Sequence, residues 1–192
     1  MPSELVVGIS GASGAIYGIR LLQVLAEGRG IRTHLVVSIP ARRIIEEETD
    51  FSVGEVERLA TCVYDPFDIG ATIASGSFKT IGMVVAPCSM KTLSSIANSY
   101  NDNLLTRAAD VTLKEGRLLV ILPRETPLHI GHLQLMLRLA EVGATVLPPV
   151  PAFYDRPQTL ADIVNHTVGR VLDQFGIEHQ LLKRWEGHSR ES

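Results

Sequence analysis

The chain has 192 residues, a net charge of −3, 45% hydrophobic and 20% charged side chains, and ten aromatic residues in all. This balance excludes a disordered chain and gives no basic patch for nucleic acid. Two cysteines, Cys62 and Cys88, exclude a disulfide framework and suit a reducing, cytoplasmic setting. The length predicts one domain over residues 1–192, with an aliphatic core and a frayed tail at 188–192. No apolar run is long enough for a signal peptide or a membrane span.

In chain order, residues 5–10 form a continuous apolar run, the pattern of a strand buried on both faces. Residues 15–27 carry apolar side chains at helical spacing and end at Gly28. A second strand is predicted at 31–38, a helix at 40–48 with Pro40 in its first turn, and another helix at 53–60. Residues 61–80 read as irregular. A third strand follows at 81–86, then helices at 91–97 and 104–115. The fourth strand is predicted at 118–122, a helix at 127–141, and a fifth strand at 144–147. Three prolines within residues 148–151 force a stiff extended segment. A last helix is predicted over 159–175, with Thr159 as its N-cap. The sum is a single doubly wound, Rossmann-like α/β domain with a mostly parallel sheet.

Such sheets bind ligands at the carboxyl ends of their strands, and the motifs cluster there. Residues 8–15, GISGASGA, join the first strand to the first helix with small residues. A helix N-terminus at that point favours an anion. The glycine spacing differs from the dinucleotide fingerprint, and the second strand ends in Val36-Val37-Ser38 without the acid that would bind a ribose. Residues 86–92, APCSMKT, offer hydroxyl, ammonium and backbone donors. Cys88 has no base nearby in sequence and reads as a buried, inert thiol. Arg107 and Lys114 lie two helical turns apart with Asp110 between them as an ion-pair partner. Arg124 and Glu125 directly follow the fourth strand, where packing alone does not explain them. His129 and His132 have a spacing that could chelate, but no third ligand is apparent and no metal is expected. Residues 148–157 read as a rigid loop over a pocket, carrying Phe153 and Tyr154. Arg170 lies within the last helix and Arg184 precedes Trp185. Lys91, Arg107, Lys114, Arg124 and Arg170 together describe a site for anions, with room for more than one phosphate.

Six segments carry a resemblance: GISGASGAIYG at 8–18, SGSF at 75–78, APCSMKT at 86–92, RAADVTLKE at 107–115, PRETPLH at 123–129 and PPVPAFY at 148–154. In this order they resemble the UbiX family of flavin prenyltransferases, over residues 4 to about 186. The resemblance implies transfer of a dimethylallyl group from dimethylallyl monophosphate to N5 and C6 of reduced FMN. The product, prenylated FMN, would serve UbiD-type decarboxylases, among them the one in ubiquinone biosynthesis. It also implies a metal-independent homododecamer with sites at subunit contacts. By position, Gly11, Ala12, Ser13, Ser38, Ser89, Met90, Lys91, Thr92 and Arg124 match the FMN-binding segments. Lys114, Tyr154 and Arg170 match the ligands of the prenyl phosphate. Glu48, Arg107, Glu125 and Trp185 match residues lining the reaction site. Pro40 and Phe78 stand where relatives vary, which bears on rate or prenyl-chain preference.

Two other readings remain at this point. The related flavoprotein decarboxylases act on peptidyl or pantothenoyl cysteine with a histidine near the first helix, which this chain lacks there. A non-catalytic FMN carrier would have no use for Lys114, Tyr154 and Arg170 as a second anion site.

Overall fold

The computed structural model describes residues 3–28 and 30–182. Trp185 and the tail at 188–192 therefore lie outside the described residues. Six parallel strands form one sheet: β1 (Ser3–Ile9), β2 (Ile31–Val37), β3 (Cys62–Tyr64), β4 (Gly82–Cys88), β5 (Leu118–Pro123) and β6 (Thr145–Val146). Their spatial order is β3-β2-β1-β4-β5-β6. The order reverses between β1 and β4, which opens a crevice where their carboxyl ends diverge.

The helices are α1 (Ala15–Glu27), α2 (Ile39–Glu48), α3 (Val53–Arg58), α4 (Met90–Ala97), α5 (Leu104–Lys114), α6 (Ile130–Glu141) and α7 (Leu160–Gln174). On one face of the sheet, buried side chains of α1, α2, α3 and α7 pack on Leu5, Val7, Ile9, Leu35 and Val84. On the other, α4, α5 and α6 pack on Val6, Val36, Met83, Val85, Leu119 and Ile121. The alternation along each strand sends successive side chains into opposite layers, so the buried stretches of β1, β4 and β5 read as continuous apolar runs. No helix among the described residues is long and apolar enough to cross a membrane.

The sheet is wholly parallel, and it holds one strand more than the sequence pattern predicts. Residues 61–80 were expected to be irregular, yet Cys62–Tyr64 pairs with His34–Val36 of β2, and Thr72–Ala74 forms a 3-10 turn. A three-residue edge strand is too short to show a period. The helix expected at 127–141 starts instead at Ile130, because His129 caps it: its Nδ1 accepts a hydrogen bond from the Gly131 amide. The helix expected at 53–60 ends at Arg58, and β6 is shorter than the predicted 144–147. Ser38, Ser89, Asn103 and Thr159 each cap the helix that follows with a side-chain oxygen.

Gly18 lets α1 lie directly on the sheet. A methyl group there would run into the Ala86 carbonyl oxygen and stand 2.9 Å from Ile9. Gly18→Ala is expected to destabilise the fold by about 1–3 kcal/mol through overpacking. A thermal melt checks this, and an unchanged melting temperature contradicts it.

Candidate functional site

The crevice between β1 and β4 is closed at its floor by Ser10. Its hydroxyl is buried, donates to the Pro87 carbonyl at 3.0 Å and accepts from the Ser89 amide at 2.8 Å. The Ser10 amide also donates to Pro87, and the Ser38 amide to Ile9. The ends of β1, β2 and β4 are thus tied together, and the loops that leave them are fixed relative to one another.

Two clefts flank the loop at residues 10–14. The smaller, about 290 Å³, is lined by Gly11, Ser38, Pro40, Ser89, Lys91 and Thr92, with Phe67, Asp102 and Asn103 at its rim. The Ser89 hydroxyl accepts from the Thr92 amide and donates to the Thr92 hydroxyl, which leaves the Thr92 hydroxyl proton able to donate outward. Ser38 accepts from the Ala41 amide and keeps its own proton for a ligand. One ammonium, three hydroxyls and the starts of α2 and α4 therefore face one cavity, the donor set that a phosphate and a polyol require.

The larger cleft, about 770 Å³, lies between α1 and α7 and contains Ser13, Gly14, Tyr17, Glu48 and Arg124, with Phe51, Ile163 and Val164 as apolar walls. The anion predicted at the start of α1 is supplied by the protein itself. The Glu48 carboxylate, at the end of α2, accepts the Gly14 amide at 2.7 Å. Gly14 has φ = 97°, a conformation open to glycine. Burial raises the Tyr17 phenol above its usual range, with Arg124 opposing the shift, so it stays a neutral donor. The Arg124 amide donates to the Cys88 carbonyl, anchoring the residue beside the crevice, and Glu125 follows it in the exposed segment. Cys88 itself is fully buried, and desolvation pushes its thiol well above the usual range, so it remains protonated.

Other predicted residues lie elsewhere in the chain. Arg107 pairs with Asp110 at 3.4 Å on α5. Lys114 pairs with Glu115 rather than Asp110, and this holds the Glu115 carboxyl below its usual range. Lys114 ends α5, just before the first residue of β5, at the amino edge of the sheet. Arg124 follows the last residue of β5, at the opposite edge. The six residues of β5 separate the two edges by about 20 Å at ~3.3 Å per residue. Tyr154, exposed, shares a 3.1 Å hydrogen bond with His166 on α7, one turn before Arg170. Arg170 pairs with Asp173 at 3.4 Å. The predicted loop at 148–157 does border a cavity, of about 280 Å³, lined by Asp155, Arg156, Ile163 and His166. The rings of His129 and His132 lie 3.6 Å apart between centroids, with their planes tilted by 34°.

Within one chain, then, Gly11, Ser38, Ser89, Lys91 and Thr92 meet in one cleft, and Ser13, Glu48 and Arg124 in the next. Lys114 lies in the α5 layer, while Tyr154 and Arg170 lie against α7 in the other. Sequence reasoning passed over Ser10, Tyr17, Asp102 and Asn103. Ser10 and Tyr17 sit inside the quoted glycine motif, and Asn103 precedes a predicted helix start, which is an N-cap signal.

Comparison with known proteins decides the family. The family profile described as Flavoprotein matches residues 2–172. The flavin prenyltransferase UbiX of Escherichia coli strain K12 is 62% identical over 186 residues, covering 96% of this chain and 98% of that protein. The chain belongs to the UbiX flavin prenyltransferase family. A crystal structure of a dodecameric FMN-dependent UbiX-like decarboxylase from Escherichia coli O157:H7 is 54% identical, with a TM-score of 0.94 over 96% of this chain and 100% of that one. AnUbiX (PadA1), crystallised with FMN and dimethylallyl pyrophosphate, is 43% identical, with a TM-score of 0.96 over 98% of this chain and 100% of that one.

For a UbiX-family chain, the Ser10 bridge has a direct consequence. Ser10→Ala leaves the Ser89 amide without its partner and the Pro87 carbonyl with only the Ser10 amide, at a cost of about 1–3 kcal/mol. It is expected to lower the melting temperature and to weaken FMN binding in a fluorescence titration. Wild-type FMN affinity would contradict the role given to the bridge.

Proposed function

We propose that the chain is a flavin prenyltransferase that joins a dimethylallyl group, from dimethylallyl monophosphate, to N5 and C6 of reduced FMN. The single observation that carries this reading is the pair of clefts about the β1–β4 crevice, one rich in phosphate donors and the other walled by apolar side chains and set with Tyr17, Glu48 and Arg124. The relative crystallised with FMN and dimethylallyl pyrophosphate supports the same pair of reactants.

Reduced FMN, when bound, supplies the electron-rich N5 and C6 that take the two allylic carbons. Ser38, Ser89, Lys91 and Thr92 hold its phosphate and ribityl hydroxyls. Lys114, Arg170 and the Tyr154 hydroxyl receive the departing phosphate as the allylic C–O bond breaks, stabilising the charge that develops on it. The apolar walls of the larger cleft keep water from the allyl fragment. N5 loses its proton on taking the first carbon, the middle carbon of the allyl C=C takes a proton so that C6 can bond to the tertiary carbon, and C6 then loses its own, a net release of one proton. The released phosphate accepts it, and Glu125 relays protons between the site and solvent. Glu48, Arg107 and Trp185 complete the lining of the reaction site.

Lys114 cannot reach the crevice of its own chain, so the reading requires a second copy to supply it. An apolar stripe on α6, exposing Ile130, Leu133 and Leu137, supports self-association. The dodecamer formed by the UbiX-like relative supports the same assembly here. The product passes to a UbiD-type decarboxylase, and the two unpaired cysteines suit a reducing cytoplasm.

Lys114→Ala is expected to abolish turnover with dimethylallyl monophosphate under anaerobic conditions while leaving FMN bound. Mass spectrometry of the extracted flavin reads the outcome. Normal formation of the heavier flavin by this variant would overturn the phosphate assignment.

A further inference from the structure

A buried polar chain centred on the middle of β2 is not used by the proposed mechanism. His34, only 3% exposed, lies in β2 among apolar neighbours. Its Nε2 stands 2.7 Å from the Glu4 carboxylate on β1. An ionised carboxylate only accepts, so Nε2 carries the hydrogen, and in the neutral ring Nδ1 then accepts from the Tyr64 hydroxyl at 2.9 Å. The Tyr64 oxygen is in turn 3.1 Å from the Thr72 hydroxyl. An apolar side chain at position 34 would fill this space without desolvating any polar group. What the network adds is a fixed ring orientation.

The imidazole held in this way meets Phe78 edge-on, with centroids 5.1 Å apart and planes at 75°. Phe78 closes the SGSF segment at residues 75–78. Arg117 fixes the backbone of that segment by donating to the carbonyls of Phe78 at 2.7 Å and Gly76 at 2.6 Å. Gly76 in turn lies against the Lys114–Glu115 pair: a methyl group on it would stand 2.9 Å from the Lys114 Nζ and closer still to the Glu115 carboxylate. A continuous set of contacts therefore runs from His34 through Phe78 and Gly76 to Lys114.

We propose that His34 is a positioning residue for the allylic phosphate: through its contact with Phe78 it sets the segment at residues 75–78 beside Lys114. The proposal rests on the assignment of Lys114 given above. It separates the two substrates, because Lys114 lies at the amino edge of the sheet and the FMN cleft at the carboxyl edge. His34 touches neither reactant.

The test uses the full-length protein. His34→Leu is expected to raise the KM for dimethylallyl monophosphate by about tenfold through misplacement of the phosphate ligand, with kcat and FMN affinity within about twofold of wild type. In a Phe78→Leu background the same substitution should have no further effect on KM, since residues acting through one contact are not additive. A merely structural histidine would weaken FMN binding along with the KM and would add its effect to that of Phe78→Leu. Either result overturns the proposal, as does an unchanged KM. Should His34→Leu fail to fold, Tyr64→Phe removes one hydroxyl from the network and is expected to shift KM in the same direction by a smaller factor; no shift there overturns the proposal. Lys114→Ala is measured in parallel. If it abolishes turnover while the His34 and Tyr64 variants are silent, only the positioning role falls. If it turns over normally, the phosphate assignment falls and the positioning role with it.

Discussion

The hydroxyl of Ser10 is the small group on which the geometry of the crevice between β1 and β4 depends. Strands β1 and β4 are neighbours in the sheet, yet their chains leave in opposite directions, and beyond the ladder one backbone bond, from the Ser10 amide to the Pro87 carbonyl, still joins them. The Ser10 side chain adds to it a buried hydroxyl that both donates and accepts across the gap. Without that hydroxyl the Ser89 amide would lose its partner and the Pro87 carbonyl would keep only the Ser10 amide. The loop carrying Gly11, Ala12 and Ser13 and the turn carrying Ser89, Lys91 and Thr92 therefore hold one relative position before any ligand arrives. Preorganisation of this kind lowers the cost of binding.

A second constraint works in the opposite sense. The cations that sequence reasoning gathered into one anion site are distributed over three parts of the fold. Lys91 and Arg124 stand at the carboxyl edge, Lys114 at the amino edge, and Arg170 on the outer side of α7. A helix that packs antiparallel to its strand carries its last residue to the opposite edge, and α5 does this with Lys114. A chain that carries its donor-rich cleft at one edge and Lys114 at the other has, on the proposed reading, reason to associate. The exposed apolar stripe on α6 gives it a surface to do so.

Much of the fold is legible in the sequence because both faces of the sheet are covered. Apolar runs mark β1, β4 and β5 and the second half of β2, and α1 lies at Ala15–Glu27 as its periodicity predicts. β3 escaped because three residues at a sheet edge carry no pattern. The start of α6 was misplaced because the cap is a histidine, whose Nδ1 does the work more often done by Ser, Thr, Asp or Asn. The meeting of Gly11, Ser38, Ser89, Lys91 and Thr92 in one cleft was equally legible, since these residues sit at strand ends that the pattern locates. The separation of Lys114 from Arg124 was not. Spacing along a helix gives a shared face, but which edge of the sheet that face reaches depends on the direction of the helix in the fold. Likewise, His34 reads in sequence as one polar residue in a strand, and its link to Phe78 appears only when β1, β2 and the segment at 75–78 are brought together.

The claim that one catalytic site draws residues from different chains can be measured by complementation. Lys114→Ala and Arg124→Ala chains are each inactive on this account, because each lacks one half of every site. Co-expressed, they assemble mixed oligomers in which about a quarter of the sites receive both native halves when assembly is random. The account predicts that the mixture regains about that share of prenyl transfer. A mixture as inactive as either variant alone would contradict it.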